Sequence, residues 1–524
     1  MRRVVAIACA TFLALSGIAR AVTPQRILFV PLDDRPVTDE LPMMLGSIAG
    51  VSILEPPHAF LGNYLQAGSS DPIGRWLARE SERKRVAGAV ISTDMLAYGG
   101  LVASRLPGPS YADAYFRLGA IARLHRQHPN IWISAFATVM RLAPTGVPSI
   151  GAATNFFAAY PIWTYLQRYA NLPDPLPRRD RSLAARLRAR IGPVTLDAYL
   201  AARARNLDVD RFLILDTRAD AIARLVIGQD DAGPIGLHVP EIAQLRTMLE
   251  EDIQPGTASI EPGADELGMV LVAHAMARQL RWHPRVRVEY SQPAGATVQD
   301  PLEFEPIGAT ITSLLALAGA RPVRRAPDLT LIVRVPGTTA DQDDALVKHL
   351  QRLLAMRRSI AFVDLTFLGG SNDAELAFMQ RLLHDGVAAR LDAYAAWNTD
   401  ANSVGTALAE AIAAGVGRRN GHYDARAHLN FTFDRILDDV YFRALVRPEL
   451  ERWLLRHGIA DHTYLLPSVA RRTELRARAL LWQYAPGLLA SLAPNEHIAA
   501  MRITLPWNRT FEIQIDPALA PDLY

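Results

Sequence analysis

Cysteine is almost absent from this 524-residue chain, and the only one is Cys9. It lies inside an apolar N-terminal run, so the rest of the chain can form no disulfide, thiol nucleophile or thiolate metal site. Histidine is scattered: His58, His125, His128, His238, His274 and His283 form no His-Glu-x-x-His or comparable pair. That argues against a zinc hydrolase, although an all-oxygen Mg²⁺ or Ca²⁺ site built from Asp residues stays open. There is no Gly-x-Ser-x-Gly elbow and no Gly-x-x-x-x-Gly-Lys-Ser/Thr phosphate loop, and Gly228, Gly233 and Gly236 make no dinucleotide fingerprint. A Ser-His-Asp hydrolase or a nucleotide enzyme is disfavoured, and no cofactor is implied.

Net charge is missing too. The chain has 56 Lys+Arg against 53 Asp+Glu, and Arg2, Arg3 and Arg20 fall in its first 21 residues, which leaves 53 against 53 beyond them. A neutral balance gives no support to a nucleic-acid partner, whose phosphates call for a basic surface. The first 21 residues read as a signal peptide. Arg2 and Arg3 precede an uncharged, mostly apolar run from Val4 to Ile18, and Ala19-Arg-Ala21 supplies small residues for cleavage after Ala21. The run is shorter than the roughly 20 residues that span a bilayer. No later stretch is comparably apolar without charges, so the expectation is an exported protein, periplasmic or extracellular, with no membrane span after cleavage.

What is present is a recurring short apolar, β-branched run that ends in polar residues and is followed by a helix-like stretch. The runs are Arg26–Val30, Val51–Leu54, Ala87–Ser92, Ile131–Thr138, Ala223–Ile227, Ala258–Glu261, Val286–Tyr290, Leu329–Val335, Ile360–Leu365 and Leu391–Trp397. Continuous runs suit strands buried on both faces of a parallel sheet, with helices as crossovers. The fold class is therefore α/β. Ten strands exceed one eight-stranded barrel, so the expected division is a barrel-like (β/α) domain over 22–280, a smaller α/β unit over 281–418 and a helical C-terminal region over 419–524. Arg211–Leu215 fits a strand or a helix equally. Leu172–Arg190, rich in Pro, Arg and Asp, reads as an exposed excursion, and Met501–Ile515 as a closing strand or hairpin.

Polar residues cluster directly after these strands: Pro31-Leu-Asp-Asp-Arg-Pro36, Ser92-Thr-Asp94, Arg141, Gly228-Gln-Asp-Asp231, Gly263-Ala-Asp-Glu266, Gly369-Gly-Ser-Asn-Asp373 and Ala396-Trp-Asn398. In parallel α/β folds that edge is where ligands and catalytic groups collect. Any one of these residues could merely cap the next helix; seven such sites point to a polar cleft.

Pro31–Pro36, Asp94-Met-Leu-Ala-Tyr-Gly-Gly-Leu-Val-Ala-Ser-Arg105 and Trp397-Asn-Thr-Asp-Ala-Asn-Ser-Val-Gly405 resemble the bacterial family known as domain of unknown function 4127. Gly263–Glu266 and Pro506-Trp-Asn-Arg-Thr-Phe-Glu512 are similar to its motifs as well. The resemblance implies membership over nearly the whole chain but no activity, so the chemistry must come from the residues.

Asp230 and Asp231 are neighbouring carboxylates, which repel, so one is expected to titrate high and act as an acid. The pair also resembles the site of family 84 glycosidases. That likeness implies one Asp orienting the substrate's acetamido group and its neighbour, Asp231, protonating the leaving oxygen. Trp397 could stack on a sugar while Asn398 and Asn402 bond its hydroxyls. Asp33, Asp34 and Arg35 are bracketed by two prolines that fix the backbone, and Arg35 is either a fork for a substrate carboxylate or the ion-pair partner of Asp33. Asp94, Tyr98, Ser104 and Arg105 are the polar candidates around Gly99-Gly100, while Met95, Leu96, Leu101 and Val102 read as packing. Asp265 and Glu266 start a helix, where the dipole alone favours carboxylates. Arg141 and Asn372 complete the set.

The functional expectation is an exported carboxylate-dependent hydrolase acting on a glycan, with Asp230 and Asp231 as the acid/base or orienting pair. The alternatives are a Mg²⁺- or Ca²⁺-assisted hydrolase using the same Asp set and a non-catalytic carbohydrate-binding envelope protein.

Overall fold

The computed structural model of the chain describes residues 25–64, 66–144, 162–230 and 233–522. The expected leader, residues 1–21, lies outside them. All ten apolar runs are strands, in two parallel open sheets. The first contains β1 (Arg26–Val30), β2 (Ile53–Leu54), β3 (Val86–Ser92), β4 (Trp132–Val139), β5 (Arg224–Gln229) and β6 (Ala258–Pro262), in the order β2-β1-β3-β4-β5-β6. The second contains β7 (Arg285–Tyr290), a two-residue β8 (Arg321–Pro322), β9 (Leu329–Arg334), β10 (Ile360–Asp364) and β11 (Ala393–Ala395), in the order β11-β10-β9-β7-β8. The fold is α/β with parallel strands, as expected. The barrel-like closure is not what the first unit adopts: β2 and β6 are edges of an open sheet.

Alternation along each strand explains why the runs are apolar throughout. Ile27 and Phe29 of β1 point into one core, and Leu28 and Val30 into another on the opposite face. The first of these cores also takes Leu331 and Val333 of β9 and Ala361 and Val363 of β10, so the two sheets share it. Between them lie the helices Leu267–Gln279 and Asp400–Asn420; the second is rich in Ala and Gly and buried on all sides except in its last turn. Small side chains let a helix sit that close to its neighbours: a Cβ on Gly405 would lie 2.5 Å from Glu266 Cγ.

Arg211–Leu215 belongs to the long helix Pro193–Arg218. With the helices Ile162–Ala170 and Arg181–Ile191 it forms an excursion from the first sheet with its own small core around Leu166, Tyr169, Leu187 and Tyr199. Beyond Asp400–Asn420 the chain is helical until the antiparallel hairpin of β12 (Glu496–Thr504) and β13 (Gln514–Pro521). No helix among the described residues is long and apolar enough to cross a membrane.

In both sheets the strand order reverses beside the first strand in sequence, between β1 and β3 and between β7 and β9. A crevice is expected outside the carboxyl ends at such a switch point.

Candidate active site

A cavity of about 650 Å³ lies there. Its wall takes Arg35 from the end of β1, Arg105 after β3, Arg141 after β4, Asp230 after β5, Asp265 after β6, and Asn398 and Asn402 after β11. Side chains predicted from six separate strand ends thus meet at one place.

Arg35 is the best-held of them. Its guanidinium takes Asp33 bidentately at 2.9 and 2.8 Å and Asp265 bidentately at 2.9 and 2.7 Å. The Trp507 ring covers it at 4.7 Å. A planar fork with five donors suits this double clamp, which a lysine could not reproduce. Burial pushes the Asp265 carboxyl up, but Arg35, aided by Arg105 and Arg509, outweighs it and holds Asp265 below the ordinary carboxylate range. Trp507 is fixed in turn by its indole N–H, which donates to Asp34 Oδ1 at 2.6 Å, and Asn63 donates to Asp34 Oδ2 at 2.9 Å. Burial nonetheless raises the Asp34 pKa.

Arg105 contacts the Asp230 carboxylate directly. Behind them Asp94 accepts from Thr138 Oγ1 at 2.9 Å, and burial pushes its carboxyl up to about 7. On the opposite wall Asn398 Nδ2 donates to Asn402 Oδ1 at 2.6 Å, and Asn402 Nδ2 to Glu266 Oε2 at 2.6 Å. Glu266 occupies the N-cap position of Leu267–Gln279 without capping it. Its carboxyl instead folds against Gly263, whose φ is +82° and where a Cβ would sit 1.8 Å from Glu266 Oε1. Burial, with Asp265 adding to it, pushes Glu266 up to about 8.

Asp33, Asp34 and Glu266 therefore stand behind the wall and hold residues in it, while Asp94 stands behind the wall and bonds Thr138. Three expectations need correction. Trp397 packs into the shared core with its indole N–H on Thr406, so no face is open to a sugar. Asn372 stands just before the helix Asp373–His384, donates to the Glu375 carboxylate and is not part of the cavity wall, so it makes no substrate contact there. Tyr98 is buried under the Arg205 guanidinium, 4.6 Å from its ring, and does not reach the cavity. Asp231, the expected acid, lies outside the described residues.

The wall also holds groups that strand ends did not reveal. Glu303, from the loop after β7, is 3 % exposed, and its Oε2 has no hydrogen-bond partner among the described residues. Burial, reinforced by Asp400, Glu266 and Asp300, pushes its carboxyl well above the ordinary range. Trp507, Arg509, Tyr64 and His462 close the opening from the C-terminal region and the β2 side. Tyr64 stacks on Trp507 at 4.9 Å, and Arg509 lies 4.6 Å from the same ring. Tyr64, Asn398 and Trp507 all have φ between +45° and +57°, a left-handed backbone that costs non-glycine residues energy and collects at functional sites. Among the described residues no three His, Cys, Asp or Glu side chains come together as a metal-binding group.

The family model described as protein of unknown function (DUF4127) matches residues 27–516, which takes in both sheets and all the cavity wall described above. No curated protein and no solved structure matches the chain. With a match over almost its whole length, the chain belongs to the DUF4127 family.

Proposed function

We propose that the protein is an exported carboxylate-dependent hydrolase that cleaves a glycan, with Glu303 as the proton donor and Asp265 as its ionised partner. The observation that carries this reading is a divergence of two carboxyls in one wall. Glu303 is pushed up by burial and by neighbouring carboxyls, while Asp265 is held down by Arg35. Two carboxyls driven apart by their surroundings are the arrangement that divides acid from base at neutral pH.

In this mechanism Glu303 delivers its proton to the leaving oxygen. Asp265, fixed by the bidentate clamp, faces the positive charge that develops at the sugar carbon; water bonds to that carbon as the glycosidic bond breaks and gives its proton to the Glu303 carboxylate, which restores the acid. Asn398 and Asn402 bond hydroxyls. Asp230, paired with Arg105, is an acceptor and a positioning group rather than the donor. Export is supported by the charged start, short apolar run and small-residue end of residues 1–21.

The test is turnover by the purified protein on a panel of aryl glycosides and envelope polysaccharides. Glu303→Gln should lower turnover by about 10²–10⁴-fold and recover on substrates whose leaving group needs no proton. Asp265→Asn should fall comparably and not recover. Glycan binding by the native protein without turnover on any substrate would replace this reading with a carbohydrate-binding protein.

A further inference from the structure

The excursion from the first sheet carries the most uneven charge in the molecule. Between positions 178 and 190 stand Arg178, Arg179, Arg181, Arg186, Arg188 and Arg190, against the single carboxylate Asp180. This is a net charge of +5 in thirteen positions, in a chain that is neutral beyond its first 21 residues. Ala184, Leu187 and Ile191 turn the inner face of the helix Arg181–Ile191 to the small core, and all six arginines are exposed.

Local physics does not favour this placement. Arg178, Arg179 and Arg181 crowd the helix N-terminus, where the dipole disfavours cations, and Arg186 and Arg190 are like charges at i,i+4. Among the described residues the only carboxylate within 4.0 Å of any of the six is Asp180, 3.7 Å from Arg179. Arg188 and Arg190 stand in the last turn, where the dipole favours them, but no carboxylate of the described fold offsets Arg178, Arg181 and Arg186, and an external anion would.

The patch is also joined to the cavity. Arg188 stacks on Tyr169 at 5.3 Å and donates to its hydroxyl, and Arg190 does the same with Tyr165 at 5.0 Å. Both tyrosines belong to the helix Ile162–Ala170, whose Trp163 is part of the cavity wall and donates its indole N–H to Pro144 O at 2.6 Å. Trp163 and Tyr169 are six positions apart, about 9 Å along a helix. The arginine face thus starts within two helical turns of the cavity.

We infer that this face is a docking surface for an acidic polysaccharide, a chain bearing carboxylate groups that runs from the cavity across the arginines. The inference rests on the glycan reading of the cavity. A lipid surface is the less suited occupant, because the outward face of Arg181–Ile191 carries arginines and alanines and no large apolar side chain to insert.

The experiment measures binding of the full mature protein to polygalacturonate, neutral dextran, anionic phospholipid vesicles and duplex DNA over a range of salt. Native protein should bind polygalacturonate and not dextran, more tightly than vesicles or DNA, with affinity falling as salt rises. The variant Arg178→Gln/Arg181→Gln/Arg186→Gln/Arg190→Gln should bind polygalacturonate at least roughly tenfold more weakly and with a shallower salt dependence. Circular dichroism should match the native protein and the thermal midpoint should not fall by more than a few degrees, since all four side chains are exposed and their mutual repulsion is relieved. Native-like binding by the arginine variant, no binding by the native protein, or a preference for vesicles or DNA overturns the inference. Absence of glycan cleavage by the native protein sinks the hydrolase reading separately.

Discussion

The two sheets repeat one strand order, and at the carboxyl end of each an arginine is held by two carboxylates and an aromatic ring. In the first sheet Arg35 lies between Asp33 and Asp265 under Trp507. In the second Arg334 takes Asp343 bidentately at 2.8 Å and Asp364 at 2.8 Å, with Phe378 over it at 4.3 Å. The difference is where the partners come from. Asp343 and Phe378 sit on the helices Ala340–Ala355 and Asp373–His384 beside β9 and β10, so the clamp closes on its own layer. Asp265 comes from beyond β6 and Trp507 from the distant C-terminal hairpin, and the space between these separate elements is the cavity. An arginine–carboxylate motif at a strand end is therefore not a site in itself; partners drawn from distant elements make it one.

The largest expected effect treats the two clamps alike. Arg35→Met and Arg334→Met each leave one buried and one half-buried carboxylate without their cation, so each should cost about 3 kcal/mol in denaturant unfolding. The comparison breaks if either substitution is tolerated without loss, because that clamp would then be ornamental to the fold.

A pH experiment sharpens the contrast. Burial raises Glu266 from 4.5 to about 8, and Asp94 and Asp400 from 3.8 to about 7, all behind or beside the cavity. A carboxyl raised in the native state keeps a proton that the unfolded chain has released. Its contribution to stability is full below pH 4 and is lost as pH rises through 7 to 8. Asp265, held low, has the opposite sign, and its contribution is lost only in acid, below its ordinary value of 3.8. The thermal midpoint should therefore fall between pH 5 and pH 8.5, and Glu266→Gln should flatten part of that slope. A midpoint that climbs steadily to pH 8.5 would mean that these groups are ionised in the native protein.

Much of this was legible in the sequence, for identifiable reasons. The ten strands were readable because burial on both faces makes each an unbroken apolar run, whereas the two-residue β8, Arg321–Pro322, has no such signal. The strand order was not readable, since a run buried on both faces looks the same in an open sheet and in a barrel. Arg35 and Asn398 were found because they follow strands closely, and Arg105 because it ends the family-like run that starts at Asp94. Glu303 stands thirteen positions after Tyr290, outside the reach of that rule, and Trp507 meets Asp34 across 473 positions. Asn372 and Asn398 carried the same signal with opposite outcomes. One turns to Glu375 at a helix start, and the other adopts a φ of +56° and faces the cavity. That choice is made by packing partners from elsewhere in the chain.

The smallest effect separates the two rings. Trp507→Phe keeps an aromatic face over Arg35 but removes the N–H that Asp34 accepts, one hydrogen bond worth about 1 kcal/mol of stability. Asp34 retains its bond from Asn63 and is not fully buried, so nothing is left stranded. Phe378→Leu thins the cover of Arg334 inside a core and should cost about as much, roughly 1 kcal/mol. Stability alone would then call the two rings equal. Kinetics should not: Trp507 stands in the cavity wall and fixes the ring against which Arg35 and Tyr64 are aligned, so Trp507→Phe should raise KM more than it lowers kcat. Phe378→Leu lies in the second sheet's own layer and should leave both constants unchanged at a temperature where the protein stays folded. Equal kinetic effects from the two substitutions would show that the clamps differ in position but not in role.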